Sequence, residues 1–123
     1  MDMMEGDWIM RIQIAHIGIN IDNENELKKA VSFFHDVLGM ETHEREDCIF
    51  MNTCIELMKG KGPGEKGHIA FAVDNIEETI HILEKEGTVF AYENFKYDEK
   101  GRISAAYFKD EAVGFAVHLI PGK

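Results

Sequence analysis

The sequence predicts an α+β domain of two tandem βαβββ modules sharing a strongly curved, mostly antiparallel sheet of eight strands. Three observations predict it. Residues 15–23 align without a gap on residues 67–75, with His, Ile, Asp and Asn identical. The other positions exchange small for small or apolar for apolar, apart from Asn20 facing Ala72. Such internal repetition marks a duplicated supersecondary unit. Each copy is followed by an amphipathic stretch and then by strand-like runs. The helical stretches are too few and too unevenly spaced for a parallel α/β fold. A chain of 123 residues makes one domain, placed at 9–121, with modules at about 10–59 and 67–121 around a linker at 60–66.

The elements follow in order. Residues 10–21 alternate apolar with small or polar side chains and read as a strand. The run Asp22-Asn23-Glu24-Asn25 supplies capping oxygens and early negative charge for a helix. Leu27, Ala30, Val31, Phe34, Val37 and Leu38 recur at helical spacing, and Gly39 stands where a helix ends. Residues 41–46 form a polar edge strand, and 48–51 and 54–58 a hairpin around Asn52-Thr53. Residues 59–67, with four glycines and a proline, are the linker. The second copy gives a strand at 68–73, a helix at 76–86 stopped by Gly87, and strands at 89–97, 103–108 and 114–120. The turn at 98–101 joins two of them.

Strand side chains alternate between faces, so the phase of each strand is legible. His16 shares a face with Ile14, Gly18 and Asn20; Glu56 with Cys54 and Met58; His68 with Ala70 and Ala72; His118 with Ala116 and Ile120. In each strand the bulky apolar set lies opposite and packs under the helices. The other face becomes a concave floor holding His16, Glu56, His68 and His118. Three imidazoles and one carboxylate suit a borderline divalent first-row metal. The alternative is that each is a half-buried polar residue satisfied locally. Met51, Cys54, Met58 and Ile120 form the apolar wall of the pocket on this reading, and Tyr107 joins it if its strand keeps phase. Lys59, Lys61 and Lys66 in the glycine-rich loop could draw in a carboxylate or phosphate. His35, His43 and His81 read as surface residues.

A net charge of −10 argues against nucleic acid as a partner. No apolar run spans a bilayer, and residues 1–7 lack a secretory profile, so a cytoplasmic protein without membrane association is expected. Cys48 and Cys54 form no redox or metal spacing and are expected to be reduced and to point to opposite faces.

These residues together resemble the vicinal oxygen chelate superfamily of glyoxalase I, methylmalonyl-CoA epimerase, extradiol dioxygenases and bleomycin-resistance proteins. The matching pieces are Ala15-His16-Ile17-Gly18, Gly67-His68-Ile69-Ala70, the helix end from Phe33 to Met40, Cys54-Ile55-Glu56-Leu57, and the closing segment from Asp110 to Leu119. Tyr107-Phe108-Lys109-Asp110 and Gly114-Phe115-Ala116-Val117-His118-Leu119 look most like a small domain appended to some bacterial 2-keto-3-deoxy-phosphogluconate aldolases. The resemblance implies a half-barrel with helices on its outer face around one divalent ion (Zn, Ni, Co, Mn or Fe), held by His16, Glu56, His68 and His118. His118 departs from the glutamate usual there, which leaves Glu56 as the single proton-transferring carboxylate. A homodimer is implied as well.

The leading functional expectation is a metal-dependent, glyoxalase-like lyase or isomerase. Its substrate would be a small anionic metabolite with neighbouring oxygens, such as a 2-oxo or 2-hydroxy acid or a hemithioacetal, passing through an enediolate. The alternatives are an iron(II)-dependent ring-cleaving dioxygenase and a non-catalytic metabolite- or drug-binding module.

Overall fold

Chain connectivity already reveals the duplication: strand, helix, three strands, then the same again. The computed structural model describes residues 11–122. The expected strand start at Met10, the domain start at residue 9 and the stretch 1–7 lie outside the described residues. Strand β1 is Ile12–Ile21, helix α1 Glu24–Ser32, then β2 Thr42–Glu44, β3 Cys48–Met51 and β4 Ile55–Lys59. The second series is β5 Gly67–Val73, α2 Ile76–Lys85, β6 Lys96–Tyr97, β7 Ile103–Tyr107 and β8 Phe115–Pro121. The strands form one open, mostly antiparallel sheet in the order β2-β3-β4-β1-β5-β8-β7-β6. The pairing of β1 with β4 is parallel, so β1 lies between β4 and β5 rather than beside the strand that follows it.

The identical Asn of each repeat copy is a helix cap. Asn23 accepts a hydrogen bond from the Glu26 amide at 2.9 Å, and Asn75 accepts one from the Glu78 amide at 3.0 Å. Each satisfies an amide that the helix itself leaves open. The mismatched position has its own explanation. Asn20 Nδ2 donates to the Gly64 carbonyl at 3.0 Å, and Asn20 Oδ1 accepts from the Gly62 amide at 2.9 Å. Its amide side chain therefore ties down the 60–66 loop, a task that Ala72 does not have.

Contacts divide the chain into two compact units. One comprises Ala15–Ile69 and Glu111–Ala116. Its core is Ile21, Ile49, Met51 and Leu57, packed against Ile19, Ile55 and the α1 side chains Leu27, Ala30 and Val31. The other comprises Ala70–Asp110 and the described parts of Met1–Ile14 and Val117–Lys123. Its core joins Val73, Ile76, Ile80, Phe90, Phe95, Ala106 and Leu119. In both units the bulky strand face packs against the helix.

Three local expectations are corrected. The helix after Asn23 does not run regularly to Gly39: beyond Ser32 it widens into a π-helical turn, Phe33–Val37, where the Leu38 amide bonds the Phe33 carbonyl at 3.2 Å. The extra residue rotates the face, so Phe34 joins the core while Val37 and Leu38 stay exposed. The strand expected at 89–97 is broken by a 3₁₀ turn, Tyr92–Asn94, and only Lys96–Tyr97 remains as strand. Burial decides this, since Phe90 and Phe95 both turn into the core, their rings 6.1 Å apart. The β3–β4 hairpin turns through three residues rather than two: Met51 pairs with Ile55, and Asn52 adopts φ +55°.

Candidate metal centre

The pairing registers build a lateral row of side chains across four strands. His43 pairs with Phe50, Phe50 with Glu56, and Glu56 with Gly18. Paired residues point the same way, so these four share a face, and His16 joins them two residues before Gly18. His68 stands on β5, on the far side of β1 from Glu56. For its ring to reach Glu56 it must pass over β1, and it does so above Gly18. A Cβ built on Gly18 would collide with the His68 imidazole. Gly18 therefore clears the space in which His68 and Glu56 meet.

His68 Nε2 lies 2.9 Å from Glu56 Oε1, and His16 Nε2 lies 3.5 Å from the same oxygen. The two imidazole rings meet edge to face, with centroids 5.3 Å apart. One donor atom from each of His16, Glu56 and His68 lies within 4.8 Å of the others. His68 is buried, and the other two are half-buried. A tetrahedral ion with bonds of about 2.1 Å wants its ligand atoms about 3.4 Å apart, so small side-chain adjustments bring this trio to that geometry. Two imidazole nitrogens and one carboxylate oxygen are also chemically suited to a first-row divalent ion. The residues present fit a metal.

The electrostatics are mutual. The hydrogen bond from His68 holds the Glu56 carboxyl below its ordinary range, outweighing the burial that pushes it up. Burial pushes His16 down; the Glu56 carboxylate opposes this, and His68 adds to it. Both shifts keep the pair in the state that binds cations, carboxylate ionised and imidazole neutral. Cys48, on the same face of the hairpin, has its thiol raised to about 11, by burial first and by Glu56 second. Both cysteines are free. Cys48 belongs to the Glu56 face through its pairing with Met58, and Cys54 sits in the exposed turn, so a two-face assignment for the pair does not describe them.

The other expected site residues are placed as follows. His118 is buried in the other unit, paired across β7–β8 with Tyr107, its ring 4.4 Å from the tyrosine ring. Ile120 follows two residues later in β8, half-buried. Met51 is not on the ligand face: the three-residue turn puts it opposite Ile55, fully buried in the core with Leu57. Met58 keeps the phase of Glu56 and lies against Gly62. The Lys66 stem lies over Gly114. Lys59 is engaged by Glu44 Oε2 and the Arg45 carbonyl, both at 2.8 Å. Sequence reasoning missed Phe50 and Arg45. The Phe50 ring meets the His16 ring edge to face at 5.5 Å, and the Arg45 guanidinium lies 5.2 Å over Phe50. The signal for Phe50 is the three-residue turn, because only that register puts it beside Glu56.

The profile of the Glyoxalase/Bleomycin resistance protein/Dioxygenase superfamily matches residues 13–119, and the chain belongs to that superfamily. Among solved structures, a hypothetical protein from Bacillus halodurans C-125 is similar at 21% identity and a TM-score of 0.67, with 92% of this chain and 96% of that one covered. A methylmalonyl-CoA epimerase from Mycobacterium tuberculosis is similar at 19% identity and a TM-score of 0.56, covering 89% and 87%. A superfamily member from Vibrio splendidus 12B01 is similar at 16% identity and 0.53, covering 93% and 100%. At these identities the likeness is one of fold. No curated protein matches the chain. Among the described residues, no helix is long and apolar enough to cross a membrane.

Proposed function

We propose that the chain is a metal-dependent isomerase or lyase that moves a proton on a small acid with neighbouring oxygens, a 2-oxo or 2-hydroxy acid or a hemithioacetal. The observation that carries this reading is the His16–Glu56–His68 donor cluster. A divalent cation (Zn, Ni, Co, Mn or Fe) held there would supply charge stabilisation for a substrate oxygen that becomes negative as the neighbouring C–H is deprotonated. The chain's own residues do the rest. To offer Nε2 as a ligand, His68 must carry its ring proton on Nδ1, which gives up the hydrogen bond to Glu56. Glu56 Oε1 faces both imidazoles, and the carboxylate is the group that takes the substrate proton. Phe50, edge to face with His16, braces the plane of that ring. The superfamily fold also carries methylmalonyl-CoA epimerases, which supports proton-transfer chemistry by analogy of fold alone. A homodimer belongs to the same proposal.

Elemental analysis and solvent exchange test it together. The expected result is one zinc, nickel or cobalt per chain, lost in His16→Ala. In heavy water, deuterium should enter a 2-oxo acid beside its carbonyl, and Glu56→Gln should stop it. Exchange that persists in Glu56→Gln, or protein indifferent to chelators, contradicts the reading; the latter points to a binding module. One observation favours a second reading. Two histidines and one carboxylate are also the donor set of non-haem iron(II) oxygenases. Activity with iron that requires air would decide for it, and activity with zinc under nitrogen would decide against it.

A further inference from the structure

Beside His16 opens a cavity of about 360 Å³ lined by His16, His43, Arg45, Phe50, Asn52 and Thr53. Its size falls at the small end of metabolite sites. No carboxylate is among these lining residues, although the chain carries 23 acidic residues. His43 Nε2 contacts Glu41 at 3.2 Å, which leaves Arg45 as the lining side chain with a permanent positive charge. Its backbone is fixed at both ends: the Arg45 amide bonds the Cys48 carbonyl at 2.8 Å, and Lys59 holds the Arg45 carbonyl at 2.8 Å. Its guanidinium lies over the Phe50 ring, 5.2 Å from the centroid, a cation–π contact that holds the charge at the cavity. Phe50 in turn abuts His16. The charge thus stands one aromatic ring away from the donor cluster, inside the same unit.

We propose that Arg45 anchors a second anionic group, at the end of the substrate remote from its chelating oxygens. The substrate class is then a compact organic acid with a carboxylate or phosphate on its tail. This rests on the metal-chelating reading above. In a chain of net charge −10 an anionic tail is repelled everywhere except where a cation overrides the field. A bidentate guanidinium supplies that override together with geometric selection.

The test uses 2-oxoglutarate and 2-oxopentanoate, which share a chelating end and differ in the charge of the tail. Zinc-loaded wild type and Arg45→Met are titrated calorimetrically with each, with zinc content and melting temperature recorded. Methionine keeps an apolar stem over Phe50 and removes the charge. The expected result is a preference for 2-oxoglutarate of about tenfold or more in wild type, a charge-assisted hydrogen bond's effect. The preference should fall below about twofold in Arg45→Met, with 2-oxopentanoate affinity and zinc content unchanged. Arg45→Lys should keep part of it. A preference that survives Arg45→Met, or none in wild type, overturns the anchor. Failure of the metal reading is separate and shows as no zinc uptake. In that case 2-oxoglutarate is titrated into the protein as purified. Equal affinity of wild type and Arg45→Met overturns the anchor, and weaker binding by Arg45→Met supports it.

Discussion

Gly18 holds the candidate centre together by having no side chain. Its φ is not among the positive values that favour glycine, so the backbone itself accepts alanine, and the added methyl overlaps the His68 ring, which must swing aside. Gly18→Ala should therefore fold, yet bind zinc roughly ten- to a hundredfold more weakly, the range seen when a group that orients a ligand is disturbed. Competition with a fluorescent chelator would measure it; unchanged affinity would show that His68 does not need that space. A second prediction concerns pH. His16 and Glu56 are both held below their ordinary values of 6.5 and 4.5. The unfolded chain then takes up protons before the folded one does, so stability falls as pH falls. The contribution of His16 is complete above its ordinary value and is lost as pH drops through its folded one; that of Glu56 follows below the ordinary carboxylate value. Melting curves in chelator between about pH 8 and pH 4 should show a steeper loss for wild type than for His16→Asn. Parallel profiles would contradict the assignment. At this scale alternation phase is what the sequence carries about the candidate donors, four of which it names, His118 among them. His16, Glu56 and His68 carry the metal idea because their alternation phase is local, whereas Gly18 as a space-maker depends on which strand sits beside which.

Elements were legible where their signals are local. Asn23 and Asn75 stand at matching repeat positions and cap matching helices. Replacing either by alanine should cost about 1 kcal/mol, read as a lower urea midpoint with unchanged slope, and the two losses should add, because they lie in separate helices. A double variant no less stable than either single one would show that the caps are not independent. Elements were illegible where burial overrides pattern. The stretch at 89–97 alternates well enough to suggest a strand, but Phe90 and Phe95 are both core residues and the chain bends at Tyr92–Asn94 to bury them. Val37 and Leu38 keep helical spacing, but the widened turn carries them out of the packed face. A two-residue turn puts Met51 on the ligand face, and the one additional turn residue of the actual hairpin moves it to the other, as alternation requires.

For the whole molecule, the repeat and the linker were enough to foresee the doubled βαβββ connectivity and the α+β class, since each module's hydrophobic face needs the same kind of cover. The strand order, with β1 inserted between β4 and β5, is a nonlocal fact that no window of sequence contains. It also determines which donors meet: His16, Glu56 and His68 come from β1, β4 and β5, three adjacent strands. A ligand bound by the folded state alone stabilises it by mass action, about 2.7 kcal/mol at a hundredfold excess over Kd. Zinc should thus raise the melting temperature of wild type by several degrees and that of His68→Ala not at all. An equal rise in both would locate the zinc elsewhere.

The clearance above Gly18 also bears on how relatives of this chain are to be judged. A homologue with both histidines and the glutamate in perfect alignment should grip a metal less tightly if a methyl group stands where this protein has none. Inventories of ligating residues would score both chains alike; the vacancy between the donors, invisible to any count of them, is where they differ.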